Sequence, residues 1–275
     1  SSFLFVKETT GSITKSEIFF DNTYTEIQEA KRFGETIVVG DSSDKNFSYI
    51  PKNFEIPTDV DYFHCTSNNT IYGTQIKKFP NTSNIVVCDM SSDIFSRKID
   101  INKFDLIYAG AQKNMGPAGT TLVIVKDDIL EKTGRNIPTM LDYKTHINKD
   151  SMFNTPPVFA IYVSMLTLKW LKKRGGIDQI EKNNNEKANL LYSEIDRNKL
   201  FKGTANVEDR SKMNVCFHLL DKKKEVQFNK MLNESGINGL NGHRSVGGYR
   251  ASIYNAMQTE SIKLLVDIMK KLERN

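Results

Sequence analysis

A chain of 275 residues with 39% hydrophobic and 26% charged residues can bury a sizeable core, which argues against the disordered and membrane-embedded classes. Its net charge of +5, from 38 Lys plus Arg against 33 Asp plus Glu, is scattered rather than striped, so a nucleic-acid partner is not expected and a small anionic substrate suits it better. Three cysteines, Cys65, Cys88 and Cys216, lie in apolar runs without Cys-x-x-Cys spacing and read as buried free thiols of a reducing compartment, with no metal site.

In chain order, the apolar patch in "SSFLFVKE" lacks the charged start and length of a targeting segment, and no later run approaches a membrane span, so a cytoplasmic protein without membrane contact is expected. "ETIVVGD" (35–41), "YFHCTS" (62–67), "NIVVCDM" (84–90), "DLIYAG" (105–110) and "TTLVIVK" (120–126) read as strands. Several lack alternation, as strands covered on both faces do, which predicts an α/β layer with a mainly parallel sheet. "FNTPPVFAIYVSMLTLKWLKKRGG" (153–176) reads as a long helix, capped by Asn154 or Thr155, opened by proline and stopped by Gly-Gly. Phe159, Val163, Leu166 and Trp170 share one face of it, with Trp170 expected in the core.

From about residue 184 the texture changes, with "KNNNEK" leading into a second helical pattern through Ala188, Leu191 and Ile195. A strand-like "MNVCFHLL", a helix through Phe228, Met231 and Leu232 ending at Gly236, a strand-like "YRASIY" and a closing amphipathic helix follow. These predict a large domain over 1–183 and a smaller C-terminal α+β domain over 184–275.

In doubly wound sheets ligands bind beyond the carboxyl ends of the strands. Thr70, Asp89 and Lys113 each follow a predicted strand there. Any one alone suits an ordinary loop; a lysine and an aspartate together suit pyridoxal 5′-phosphate, whose aldehyde condenses with an amine and whose pyridine nitrogen works protonated. An aspartate beside that nitrogen favours the charged form by about 1 to 3 pKa units.

"IYAGAQKNMGPAGTTLVIVKDDIL" resembles the lysine segment of the phosphoserine aminotransferases, a class V aminotransferase family, and the likeness continues through "HCTSNNTIYG", "VVCDMSS", "SMFNTPPVFAIYVSMLTLKWLK", "RSKMNV" and "GHRSVGGYRASIYNAM". The resemblance implies a fold type I pyridoxal phosphate enzyme and a homodimer with shared active sites. By it, Lys113 would join the cofactor as an imine and Asp89 would pair with the pyridine nitrogen. Thr70 and Gln112 would hold the ring oxygen and phosphate with Ser91 nearby, and Asn154 and Thr155 would reach the neighbouring subunit's cofactor phosphate. His243 and Arg244 would take the substrate phosphate, and Arg250 the α-carboxylate.

The implied reaction moves an amino group between L-glutamate and 3-phosphohydroxypyruvate, giving O-phosphoserine and 2-oxoglutarate in serine biosynthesis, with Lys113 as general base and ping-pong kinetics. Two departures stand out. The family has a further N-terminal segment with a second His-Arg pair and a glycine-rich phosphate turn, and this chain is expected to begin after both. The family also stacks a tryptophan on the ring where this sequence has Asn22 or Tyr24, and Asn69 and Tyr72 replace usual acidic residues. The alternative is a truncated, catalytically impaired homologue that keeps the fold and dimer surface; a lyase of related fold is disfavoured by the His243-Arg244 pair.

Overall fold

The computed structural model describes residues 15–19, 27, 30–32, 34–130 and 136–274. The expected helix "TEIQEAKRF" falls mostly outside these, and Asn22 and Tyr24 fall wholly outside. Strands β1 (Lys15–Phe19), β2 (Glu35–Ile37), β3 (Tyr62–Thr66), β4 (Ile85–Asp89), β5 (Leu106–Gly110) and β6 (Thr121–Val125) form one sheet in the order β2-β1-β3-β4-β5-β6. It is parallel through β5 and closed by β6, which runs antiparallel to β5. The non-alternating runs are the central strands: β3 is buried on both faces, as expected of a parallel sheet. The edge strand β2 is shorter than its apolar run, and β6 is only partly buried.

Register carries this sheet into function. Cys65 lies opposite Cys88, Thr66 opposite Asp89, and Asp89 opposite Tyr108, so the segments after β3, β4 and β5 leave from one edge. Phe63, Cys65, Cys88, Ile107 and Ala109 centre the core on that sheet. All three cysteines are buried free thiols.

After the short helices α1 (Asp127–Leu130) and α2 (Tyr143–Ile147) comes α3 (Val158–Lys173), which departs from expectation at its start. Pro157 occupies the N-cap position and no side chain caps the helix. The residue before a proline is pushed to extended backbone, so Pro156 and Pro157 hold Asn154 and Thr155 away from the first turn. The Asn154 amide instead donates to the Thr155 carbonyl at 3.2 Å. The apolar face of α3 is also largely uncovered: Phe159 is 74% exposed and Leu166 43%, while Trp170 is only partly buried, with the Arg174 guanidinium 5.8 Å from its ring centre.

Gly175 (φ +98°) and Gly176 (φ +70°) end α3 and turn the chain into α4 (Gly176–Arg197). The polar "KNNNEK" stretch lies inside this unbroken helix. Two of its polar residues, Asn184 and Lys187, face inward. The Asn184 amide donates to Ser96 O (3.1 Å) and Asn255 Oδ1 (2.8 Å), and Lys187 Nζ donates to the carbonyls of Ile253 (3.1 Å) and Tyr254 (2.8 Å).

Beyond α4, β7 (Phe201–Gly203), β8 (Asn214–Leu219) and β9 (Tyr249–Ser252) form an antiparallel sheet packed by α5 (Glu225–Glu234) and α6 (Thr259–Arg274). Leu191, Phe217, Phe228, Tyr249 and Met269 centre a second core, with Phe217 and Tyr249 rings stacked at 5.5 Å. The closing helix buries Ile262, Leu265, Val266, Met269 and Leu272, the face its periodicity predicts.

His64 on β3 is 2% exposed, and burial pushes its imidazole down to about 4. Its Nε2 lies 2.9 Å from the Tyr108 hydroxyl. Between pH 6.5 and 4 the unfolded chain therefore takes up a proton that the folded chain refuses, and stability falls as pH falls through that window. Urea unfolding at pH 7 and pH 4.5 should show a loss on the order of 3 kcal/mol from this group, smaller in His64→Gln; an equal loss in both proteins refutes the assignment.

Candidate active site

The segments leaving β3, β4 and β5 supply Thr70, Asp89 with Ser91, and Lys113, all partly buried. Asp89 is the last residue of β4, and its Oδ1 accepts from the Ser91 backbone N–H at 2.7 Å. Ser91 Oγ in turn accepts from the Gly110 N–H at 3.1 Å, tying the turn after β4 to the end of β5. Asn69 replaces an expected acid without loss of the turn, since its Oδ1 accepts from the N–H groups of Ile71 (2.9 Å) and Tyr72 (3.1 Å).

Lys113 sits in the connection between antiparallel β5 and β6. Met115 and Gly116 N–H both donate to the Ala111 carbonyl, at 3.1 and 2.8 Å, which curls the loop. Glycine is required at 116 because a Cβ there would lie 2.5 Å from Ser164 Oγ on α3. Gln112, exposed, packs over Gly110, where a Cβ would meet its Oε1 at 2.6 Å.

The Lys113 ammonium donates to Thr70 Oγ1 at 2.9 Å. Arg250 on β9 donates from Nη1 to the Thr70 carbonyl at 3.4 Å, which brings the second sheet to the same place. Burial lowers the Lys113 amine, opposed by the Asp89 charge and assisted by the Arg250 charge. Burial raises the Asp89 carboxyl, opposed by its bonds to Ser91 and by Lys113. Amine and carboxylate thus sense each other in one cleft, each pulled toward its neutral form by desolvation.

Of the three residues expected to bind the substrate's anionic groups, Arg250 joins this cluster. Its Nε is buried without a partner among the described residues. His243 and Arg244 lie in the loop before β9, where Gly247 (φ +71°) and Gly248 (φ +64°) take left-handed backbone as their position between turns demands. Arg244 is exposed, and His243 Nδ1 lies 2.7 Å from Ser245 Oγ. Asn154 and Thr155, exposed ahead of α3, make no bond to the Lys113 cluster.

Sequence reasoning missed Tyr254, whose hydroxyl accepts from Asn214 Nδ2 at 3.1 Å and hydrogen-bonds Thr70. It also missed Asn68, whose Nδ2 donates to Ser92 Oγ and Asn214 Oδ1, each at 2.8 Å. Both lie in stretches the resemblance had drawn on, but neither carries a charge or a periodicity that would single it out.

Residues 24–265 match the family model described as aminotransferase class-V. The chain belongs to the class-V aminotransferases. A phosphoserine aminotransferase from Flavobacterium johnsoniae is 68% identical over 247 residues, covering 90% of this chain and 69% of the relative. Among solved structures, phosphoserine aminotransferase from Bacillus circulans subsp. alkalophilus superposes with a TM-score of 0.91 at 41% identity, over 97% of this chain and 75% of that one. PLP-bound phosphoserine aminotransferase from Trichomonas vaginalis gives 0.87 at 33% identity, over 94% and 76%. The aminotransferase fold type I expected from the sequence is the fold observed.

The shared cleft has a measurable signature. Arg250→Gln should raise the pH at which Lys113 becomes reactive, and Asp89→Asn should lower it. Acylation of the Lys113 peptide followed by mass spectrometry across pH reads both; shifts of one sign in the two variants contradict the geometry.

Proposed function

We propose that the chain is a pyridoxal 5′-phosphate-dependent phosphoserine aminotransferase, transferring an amino group between L-glutamate and 3-phosphohydroxypyruvate. The observation that carries this reading is the Lys113 amine, lowered by burial, held on Thr70 and electrically coupled to Asp89 at the ends of adjacent strands. The chain's residues fit the cofactor: an amine and a carboxylate that sense each other, with Arg250 Nε, buried without a partner among the described residues, beside them for the substrate.

Pyridoxal phosphate, when bound, supplies an aldehyde for amine exchange and a ring that draws electrons from the substrate α-carbon. Asp89 would keep the ring nitrogen protonated, its carboxylate oriented by the Ser91 N–H. Thr70, Ser91 and Gln112 would hold the ring oxygen and phosphate. Lys113, freed of its bond by the incoming amino acid, would take the proton from the substrate Cα as a neutral amine, a state that its burial favours. Arg250 offers the fork geometry that a substrate α-carboxylate needs, and Arg244 with His243 would receive the substrate phosphate from their exposed loop.

The exposed face of α3 supports assembly as a homodimer. Val158, Phe159 and Tyr162 are 68%, 74% and 55% exposed, an apolar stripe that begins beside Asn154 and Thr155. Covering it with a second subunit would bring that pair toward the partner's cofactor phosphate. Cytoplasmic residence belongs to the same proposal, supported by the three free thiols; no helix among the described residues is long and apolar enough to cross a membrane.

Chain mixed with pyridoxal phosphate should show an absorbance band that borohydride abolishes and that Lys113→Ala never acquires. Glutamate-dependent turnover of 3-phosphohydroxypyruvate should follow, with kcat/KM reduced by about 2 kcal/mol in Arg244→Ala. A band without turnover identifies the catalytically impaired homologue instead; no band in the parent chain refutes the reading.

Phe159→Glu, which sets a charge on the exposed stripe, should shift sedimentation from dimer to monomer. A parent chain that already sediments as a monomer refutes the dimer.

A further inference from the structure

Where α4 crosses the seam between the two cores lies a cavity of about 280 Å3 that shares no lining residue with the Lys113 cluster. Gln75, Lys77, Arg97 and Lys98 line it from segments around the first sheet, and Glu181 on α4 and Lys212 ahead of β8 from the other side. Four cations thus converge on one space against a single lining carboxylate.

Two of the four are already neutralised. Arg97 pairs with buried Asp93 at 3.1 Å, and Lys98 with exposed Asp178 at 2.6 Å. The other two have no carboxylate partner among the described residues. Lys77 Nζ donates to Gln75 Oε1 (2.7 Å) and the Arg210 carbonyl (2.6 Å), and Lys212 Nζ to Asn189 Oδ1 (3.1 Å). Burial, then the charges of Arg97 and Lys212, push the Lys77 amine down to about 7 against the pull of Asp93 and Asp209. Lys77 as a residue stays exposed, which screens that repulsion and leaves the amine reachable from solvent. Arg97 adds an Nε buried without a partner among the described residues.

Like charges gathered around a half-open pocket oppose folding unless something of opposite charge answers them. At roughly 30 Å3 of liquid per water, the space holds several waters, or one phosphate group with a small substituent. We propose that this cavity is a second binding site, for a dianion of the phosphate class that bridges Lys77 and Arg97 on one side of the seam to Lys212 on the other. A ligand there clamps the two cores together. The ligand is either inorganic phosphate or a small phosphate monoester. The inference stands apart from the proposed reaction, because it uses none of the residues assigned to it.

The test uses the chain saturated with pyridoxal phosphate and compares inorganic phosphate and glycerol phosphate with potassium chloride of equal ionic strength. Saturating phosphate should raise the unfolding midpoint by about 3 °C beyond chloride. Measured in an Arg244→Ala background, which removes the phosphate site proposed for the reaction, Lys212→Met and Lys77→Met should each lose most of that rise. Tighter calorimetric binding of glycerol phosphate assigns the monoester, and equal binding assigns the phosphate group alone. An equal rise with chloride, no rise in Arg244→Ala, or an undiminished rise when Lys212→Met is added to Arg244→Ala overturns the proposal. Removing Lys212 relieves repulsion from Arg210, so that variant is expected to fold.

Discussion

Everything near the cleft is hung on one buried amide. Asn68, 1% exposed, spends its side chain on three partners: Ser92 and Asn214 accept from its Nδ2, and Ser211 donates to its Oδ1 at 2.5 Å. Its backbone carbonyl accepts from Ser92 Oγ as well. A buried amide left without partners costs about 1–3 kcal/mol per unmet group, so this residue locks the end of β3 to the turn after β4 and to the start of β8 at once. Thr70, two residues on, inherits its position from that lock.

That arrangement explains how a lysine can sit beside a carboxylate without collapsing onto it. The sheet register spaces the ends of β4 and β5, Ser91 holds the Asp89 oxygen, and Thr70 holds the Lys113 amine. Each charge is satisfied locally by a neutral partner, so the space between them is kept by backbone geometry rather than by their attraction. Arg250 completes the enclosure from β9, and the second sheet thereby contributes to a site built mainly by the first.

Much of this was legible in the sequence because it is local. β3 to β6 follow from β-branched runs, the closing helix from its repeat of Ile262, Leu265, Val266, Met269 and Leu272, and the end of α3 from its two glycines. Other features are set by partners distant in the chain. Asn68 and Asn214 are 146 residues apart, and no spacing rule links them. "KNNNEK" looks like a solvated break because Asn and Lys usually are solvated; here the carbonyls of Ile253 and Tyr254, with Ser96, receive them. The cap of α3 failed for a local reason that two adjacent prolines announce, and its uncovered face cannot be read from the amphipathic pattern alone, which does not say what covers an apolar stripe.

The hairpin that carries Lys113 has a consequence in time. Its strands are joined by only the stretch between Gly110 and Thr121, so closing it costs little chain entropy, whereas Thr70 is 43 residues from the amine and Arg250 a further 180 from Thr70. During synthesis the nucleophile emerges on a locally closed scaffold well before Arg250, its most distant neighbour. A complete cleft therefore certifies that both sheets have come together.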